Sequence, residues 1–302
     1  MSGEDVLTCV RTHYSLDALN SCHLIRRGFN DTYLVASQSK KYIFRVYLNH
    51  KYYIESPEAF QFELDLLEHL HKENIPVANA LRMNDGGLLG TTPTALGERA
   101  FALFSYAEGE EISKDTMTIE RCFLFGKTMA DLHLAANSFQ STHKRYHLNL
   151  KYLVDEPLRL IAKKTNKDSV HFIGEEGSEE IKNSLESLEP IDHLVEAVRN
   201  LSCDQDEFGV IHADLHLGNI HFQDNKLMLF DFDHCAYGWR AYDLAVSLFF
   251  PADQRSSIIK GYESRRPLSK AERECLPVFA DLRQLWDIGD TLHTELIRVT
   301  PS

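Results

Sequence analysis

The pattern of apolar residues changes character near residue 107, and this change limits the chain to a small set of folds. The first part holds short β-rich runs at residues 22–25, 33–36 and 42–47. Two turn-prone stretches, RGFND and SQSKK, separate these runs. Short β-rich runs divided by turns predict an antiparallel meander.

One longer helix is expected within this β-rich part. Ser56 and Pro57 form a helix-start signature that places proline at the first helical position. Apolar residues then recur at helical spacing, and the predicted helix ends near Asn74. Further elements are expected as a short helix at residues 4–14 and strands at 79–82 and 100–104.

The rest of the chain is predicted to be mainly helical. Helical patterns cover residues 118–136, 242–250 and 270–294, and short strands are expected around a loop between residues 209 and 232. The prediction is therefore an α+β fold in two parts. The N-terminal lobe covers residues 1–107 and the C-terminal lobe covers residues 108–302.

Composition and charge exclude some classes of binding partner for this chain. The net charge of −13 over 302 residues argues against nucleic-acid binding, which requires a basic surface. Six scattered cysteines without a CxxC pair suit a reducing cytoplasm better than a disulfide framework. The N-terminus lacks an apolar signal segment, and the longest apolar runs are too short to cross a bilayer. We therefore expect a cytoplasmic chain that binds neither nucleic acid nor membrane.

Residues 210–233, VIHADLHLGNIHFQDNKLMLFDFD, carry the strongest chemical signal. The sequence places Asp214, Asn219 and Asp231 near one another through a strand-loop-strand hairpin. Phosphoryl transfer uses one carboxylate to orient a hydroxyl and accept its proton, and it uses oxygen ligands to hold Mg²⁺ on the phosphates. The three residues together predict this chemistry.

This stretch resembles the catalytic and metal-binding loops of the aminoglycoside phosphotransferase family, which includes choline kinases, type II homoserine kinases and a bacterial stress-response Ser/Thr kinase branch. The resemblance extends from residue 24 to about residue 292 and includes the segment that follows, AYGWRAYDLA. It implies a bilobal protein-kinase-like fold, with ATP and Mg²⁺ as cofactors. It also implies Asp214 as catalytic base and Asn219 and Asp231 as Mg²⁺ ligands. His212 would support the loop, and Asp243 would accept backbone hydrogen bonds from it.

The same resemblance assigns a nucleotide site in the N-terminal part. The segment with Gly28, Asn30 and Thr32 stands where the family's phosphate-covering loop lies. Backbone groups of Ser105, Tyr106 and Ala107 would bind adenine.

Arg45 replaces the third-strand lysine of protein kinases, and Glu63 matches the helix glutamate that pairs with that cation. Arginine is always charged and can bind phosphate in bidentate fashion, so the replacement is compatible with the function. The other interpretation of Arg45 is a solvated residue on the strand.

The motifs specify the acceptor poorly. A small-molecule hydroxyl of an aminoglycoside, homoserine, choline or similar amino alcohol is expected, bound between the catalytic loop and the C-terminal helices. Arg283, Trp286 and Asp287 could line that pocket, although packing is the commoner role of a buried tryptophan.

The alternatives to a small-molecule kinase are a stress-type Ser/Thr protein kinase and a nucleotide-binding pseudokinase scaffold. Acidic residues between 175 and 180 could attract a cationic acceptor, and three nearby histidines lack the spacing of a zinc site.

Overall fold

A five-stranded antiparallel sheet forms the N-terminal part of the computed structural model, which describes residues 1–28, 30–165, 188–223 and 226–299. The strands are in the order β1-β2-β3-β5-β4. Their bounds are β1 Leu19–Arg27, β2 Asn30–Ser37, β3 Lys41–Tyr47, β4 Gly90–Thr94 and β5 Gly97–Ser105. The predicted meander is confirmed for β1 to β3, whereas β4 was not predicted.

Two helices cover opposite faces of this sheet. Helix α1, Gly3–His13, packs Val6 and Val10 against one face. Helix α2, Ala59–Lys72, joins the large core cluster on the other face. The prediction that Pro57 opens α2 was wrong. Pro57 lies in the turn that precedes the helix, where its carbonyl accepts a hydrogen bond from the Phe60 backbone at 3.0 Å.

The predicted strand at residues 79–82 was also wrong. Only an isolated bridge between Ala80 and Phe104 is present. The Leu81 N–H donates to the Leu103 carbonyl at 2.8 Å, and this short run is not extended into a ladder of paired residues.

Two small sheets frame residues 212–219, which are called the catalytic segment below because catalysis is the role predicted for them from the sequence. Strand β7, Phe208–Ile211, pairs with β10, Ala236–Trp239. A second sheet joins β6, β8 and β9, with bounds Glu110–Glu111, Ile220–Gln223 and Lys226–Leu229. The prediction of one strand-loop-strand hairpin is therefore corrected, because the segment between β7 and β8 connects two different sheets.

Helices dominate the C-terminal part, as predicted. Their bounds are α3 Ile119–Ala135, α4 Glu156–Thr165, α5 Ile191–Arg199, α6 Arg240–Leu244, α7 Ala252–Glu263 and α8 Lys270–Val299. Helices α3 and α7 approach closely at Gly126 and Gly261. A Cβ added at Gly261 would lie 2.0 Å from the Phe123 carbonyl oxygen. None of the described helices is long and apolar enough to cross a bilayer.

Candidate active site

A buried carboxylate fixes the catalytic segment between β7 and β8. Asp243, on α6, accepts hydrogen bonds of 2.8 Å from the backbone N–H groups of His212 and Ala213. Its Oδ2 also lies 3.0 Å from Nε2 of the fully buried His133. His212 in turn donates from Nε2 to the Phe230 carbonyl at 3.1 Å. The predicted roles of Asp243 and His212 in supporting this segment are confirmed by these contacts.

The segment presents Asp214 with both carboxylate oxygens engaged. Oδ1 accepts from Arg283 Nη2 at 3.0 Å, and Oδ2 accepts from Asn219 Nδ2 at 3.1 Å. His216 Nε2 lies 3.6 Å from Oδ2, which is an ion-pair distance rather than a hydrogen bond. Burial alone would raise the pKa of Asp214, but His216 and the basic side chains of His234 and Arg283 outweigh it, so the pKa is held well below its usual value. Asp214 is therefore ionised at neutral pH.

A second buried network links β3 to the segment after β9. Arg45 Nη1 binds Glu63 Oε1 and Arg45 Nη2 binds Asp231 Oδ1, each at 2.8 Å. Tyr47 donates its hydroxyl to the other oxygen of Glu63 at 3.0 Å. The predicted Arg45–Glu63 pair is confirmed, and the solvated interpretation of Arg45 was wrong because only 5% of the residue is exposed.

Asn219 and Asp231 have donor groups that suit Mg²⁺. The Asn219 Nδ2 group donates to the Asp214 backbone and carboxylate, which leaves the amide oxygen of Asn219 for a cation. Asp231 has a left-handed backbone with φ of 65° and a partly exposed carboxylate. Such strain at a non-glycine residue is typical of functional sites. Among the described residues, no group of three or more His, Cys, Asp or Glu side chains could hold a metal. A hard cation here would need phosphate oxygens or waters as further ligands.

Sequence reasoning missed a third ionic cluster beside this one. Lys51, in the connection between β3 and α2, forms an ion pair with Asp233, and both side chains are almost completely buried. Asn30 Nδ2 also donates to Asp233 Oδ2 at 3.0 Å, while Asn30 Oδ1 accepts from the Leu48 backbone at 3.1 Å. Asn30 was expected to lie in the phosphate-covering loop, but both ends of its side-chain amide are engaged by Asp233 and Leu48 rather than free for a phosphate.

A cavity of about 510 Å³ lies between the N-terminal sheet and the catalytic segment. Eight of the predicted site residues line it: Thr32, Arg45, Glu63, Ser105, Tyr106, Ala107, Asn219 and Asp231. Apolar side chains such as Ile43, Phe104 and Ile220 complete the wall. The Ala107 carbonyl accepts from His221 Nδ1 at 2.6 Å, so this oxygen is already engaged. Gly28 and Asn30 are outside the lining.

A second cavity of about 550 Å³ lies between the catalytic segment and α8. Asp214, Arg283, Trp286, Asp287 and Asp290 contribute to its wall. Trp286 also packs on Tyr53 and His234, so packing and lining are both roles of this side chain.

Two acidic residues of α8 line this second cavity, and they differ in their exposure to water. Asp287 is open to the water of the cavity but surrounded by protein on its other sides, and this partial burial raises its pKa to about 6. Asp290 is buried, and burial raises its pKa well above the usual value. The acidic stretch at residues 175–180 lies outside the described residues.

Comparisons with known proteins agree with this geometry. The profile of the phosphotransferase enzyme family matches residues 21–275. A protein of Synechocystis is 30% identical over 95% of this chain and 77% of its own length. The homoserine kinase of Brucella ovis is 31% identical over 89% of this chain and 77% of its own length.

A solved structure extends the likeness to the fold. An amicoumacin kinase in complex with AMP-PNP and Ca²⁺ superposes with a TM-score of 0.74, at 20% identity, over 96% of this chain and 85% of its own. That level of identity shows the α+β, protein-kinase-like fold alone. The matched profile and the Synechocystis relative show the family as well as the fold. The chain belongs to the phosphotransferase enzyme family.

Proposed function

We propose that this protein transfers the γ-phosphoryl group of ATP, as its Mg²⁺ complex, to a hydroxyl of a small molecule. The observation that carries the proposal is the position of Asp214. Its carboxylate lines the cavity beside α8, while its partner Asn219 lines the cavity beneath the sheet. A carboxylate between a nucleotide cavity and an acceptor cavity is placed to act on a hydroxyl that meets the terminal phosphate.

The chain's own residues then perform defined tasks. Asp214 is ionised, and Arg283 and Asn219 fix its orientation, so it can align the acceptor hydroxyl and take its proton as the new P–O bond forms. Arg45, held by Glu63, steadies the α- and β-phosphates. Asn219 and Asp231 would hold Mg²⁺, which when bound neutralises charge on the β- and γ-phosphates.

The acceptor is proposed to carry an amino group near its hydroxyl. Asp287 forms no ion pair within 4.0 Å among the described residues and is open to the acceptor cavity. An unpaired carboxylate favours a cationic partner, because attraction in a partly desolvated site is stronger than in water. A homoserine kinase among the relatives supports an amino alcohol, and choline or an aminoglycoside would meet the same requirement.

Two further proposals concern the boundary between the lobes and the location of the protein in the cell. We propose the lobe division at residue 107, since β5 ends at Ser105 and β6 already pairs with β8 of the second part. We also propose a cytoplasmic location, which the six unpaired cysteines support.

The test is ADP release from Mg·ATP over a panel of homoserine, choline, other amino alcohols, aminoglycosides, sugars and casein. The proposal predicts that one small amino alcohol stimulates release, and that ³¹P NMR finds a phosphomonoester of it. Stimulation by casein alone would favour a protein kinase. Nucleotide binding without turnover on any acceptor would favour a scaffold.

A further inference from the structure

Arg26 stands where the two cavities meet. It lies near the end of β1, and its backbone pairs with Thr32 of β2. Only three residues line both cavities among those the structure describes, and these are Arg26, Leu217 and Gly218. Leu217 and Gly218 belong to the catalytic segment, so Arg26 is the one contribution of the N-terminal sheet to the junction within this described part of the chain.

The positive charge of Arg26 has no ion-pair partner among the described residues. Its side chain forms no ion pair or hydrogen bond with any residue that the structure describes. The other arginines of the two cavities are tied, since Arg45 binds Glu63 and Asp231, and Arg283 binds Asp214. Lys114 also lacks an ion pair among the described residues, but it lines the acceptor cavity alone. A guanidinium that is exposed at the junction is therefore available to a ligand that bridges both cavities.

We infer that Arg26 contacts the γ-phosphoryl group while it passes from ATP to the acceptor. The inference rests on the proposed function. In that reaction the bond between the γ-phosphorus and the β–γ bridging oxygen breaks, and a bond to the acceptor oxygen forms. The hydroxyl proton goes to Asp214, and the products are ADP and a phosphomonoester. Arg26 stays protonated throughout, because arginine keeps its charge in proteins.

The physical reason is the distribution of charge in phosphoryl transfer. Negative charge spreads over the three equatorial oxygens of the transferring group, and a cation held there lowers the barrier. Arg45 is bound at 2.8 Å to both Glu63 and Asp231, and it lines the nucleotide cavity alone. Arg26 lines both cavities, so its positive charge is available where the γ-phosphate and the acceptor hydroxyl would meet.

The experiment compares nucleotides with and without a γ-phosphate. Binding of Mg·AMP-PNP and Mg·ADP is measured by calorimetry for the wild type, Arg26→Ala and Arg26→Lys. The matched control is Arg27→Ala, because Arg27 is the next residue of β1, is also exposed, pairs with Asp31 at 3.3 Å and lines neither cavity. No acceptor is needed for this measurement.

Arg26→Ala is expected to weaken AMP-PNP about tenfold, which is the scale of one charge-assisted contact, and ADP less than about threefold. Arg26→Lys should recover part of the loss, and Arg27→Ala should change neither affinity appreciably. With an acceptor in hand, Arg26→Ala should lower kcat by about 100-fold or more. Equal affinities of Arg26→Ala and wild type for AMP-PNP, or equal losses for both nucleotides, would overturn the inference and leave the proposed function standing. A wild-type protein that binds neither nucleotide would overturn both.

Discussion

Replacing Lys51 by methionine tests the ionic contact that ties the N-terminal part to the segment carrying Asp231. Lys51 and Asp233 expose 2% and 1% of their side chains. In the Lys51→Met variant the Asp233 carboxylate keeps the hydrogen bond from Asn30 at 3.0 Å and the more distant His234 at 3.9 Å, and loses the ammonium that is paired with it. Methionine keeps an unbranched, flexible side chain that is one atom shorter than lysine, while the contacts of the Lys51 ammonium with the rings of Tyr53 and Phe60 at 5.9 Å are lost with the charge. The variant therefore removes the charge with little change in volume.

The expected loss follows from this burial. Removing one partner of a buried ion pair costs about 3–5 kcal/mol, because the remaining charge is left unpaired in a poorly solvated site. A natural domain has only about 5–15 kcal/mol of unfolding free energy, so the loss is a large share of the total. The double variant Lys51→Met/Asp233→Asn removes both charges and is expected to recover more than half of the loss.

Urea unfolding of the wild type, both single variants and the double variant gives the coupling energy. The matched control is Lys270→Met, the same substitution at an exposed i,i+4 pair with Glu274, which should cost less than about 0.5 kcal/mol. A Lys51→Met loss similar to that of the control would refute the reasoning. A double variant no more stable than Lys51→Met would show that charge is not the cause.

Three further predictions concern pH, the catalytic loop and packing. The KM for a cationic acceptor should rise as pH falls through about 6, since the raised pKa of Asp287 means that its carboxylate is neutralised below that value. Asp287→Asn should abolish this dependence, and an unchanged pH profile in that variant would contradict the assignment. Asp243→Ala should lower the free energy of unfolding, measured by thermal denaturation, by about 3 kcal/mol or more, because two buried N–H donors lose their acceptor. A loss below about 1 kcal/mol would contradict the supporting role of Asp243. Gly261→Ala should lower the free energy of unfolding, measured in urea, by about 1–3 kcal/mol, because the added Cβ would collide with the carbonyl of Phe123. Unchanged stability would show that the two helices can separate there without cost.

Local patterns predicted most of the elements and brought Asp214, Asn219 and Asp231 into one candidate site, but they did not predict the partners of these residues. Short β-rich runs divided by turn-prone stretches placed β1 to β3 correctly, because consecutive strands joined by short turns pair directly in an antiparallel sheet. The Asp214–Asn219 contact joins residues five positions apart and was within reach of spacing arguments. Pro57 misled the boundary of α2, because a proline also suits a turn that precedes a helix.

The missed contacts share a different property, and one of them involves Arg283, which was expected to line the acceptor pocket but not to bind Asp214. Lys51 and Asp233 are 182 positions apart, and Arg283 and Asp214 are 69 apart. Nothing in a single sequence marks such a lysine or arginine as buried, since these residue types are almost always exposed. Only the path of the chain, which returns α8 and the connection after β3 to the catalytic segment, brings these charges together.

Turnover of Asp214→Asn tests the central claim most directly. Asparagine keeps the shape of the side chain but removes its charge and its capacity to take the hydroxyl proton. With the best acceptor from the panel, the claim predicts that kcat falls by about 100-fold or more while the affinity for Mg·ADP changes less than about threefold. The exposed Asp192→Asn substitution on α5 should leave both unchanged. An Asp214→Asn variant with turnover close to that of the wild type would contradict the account.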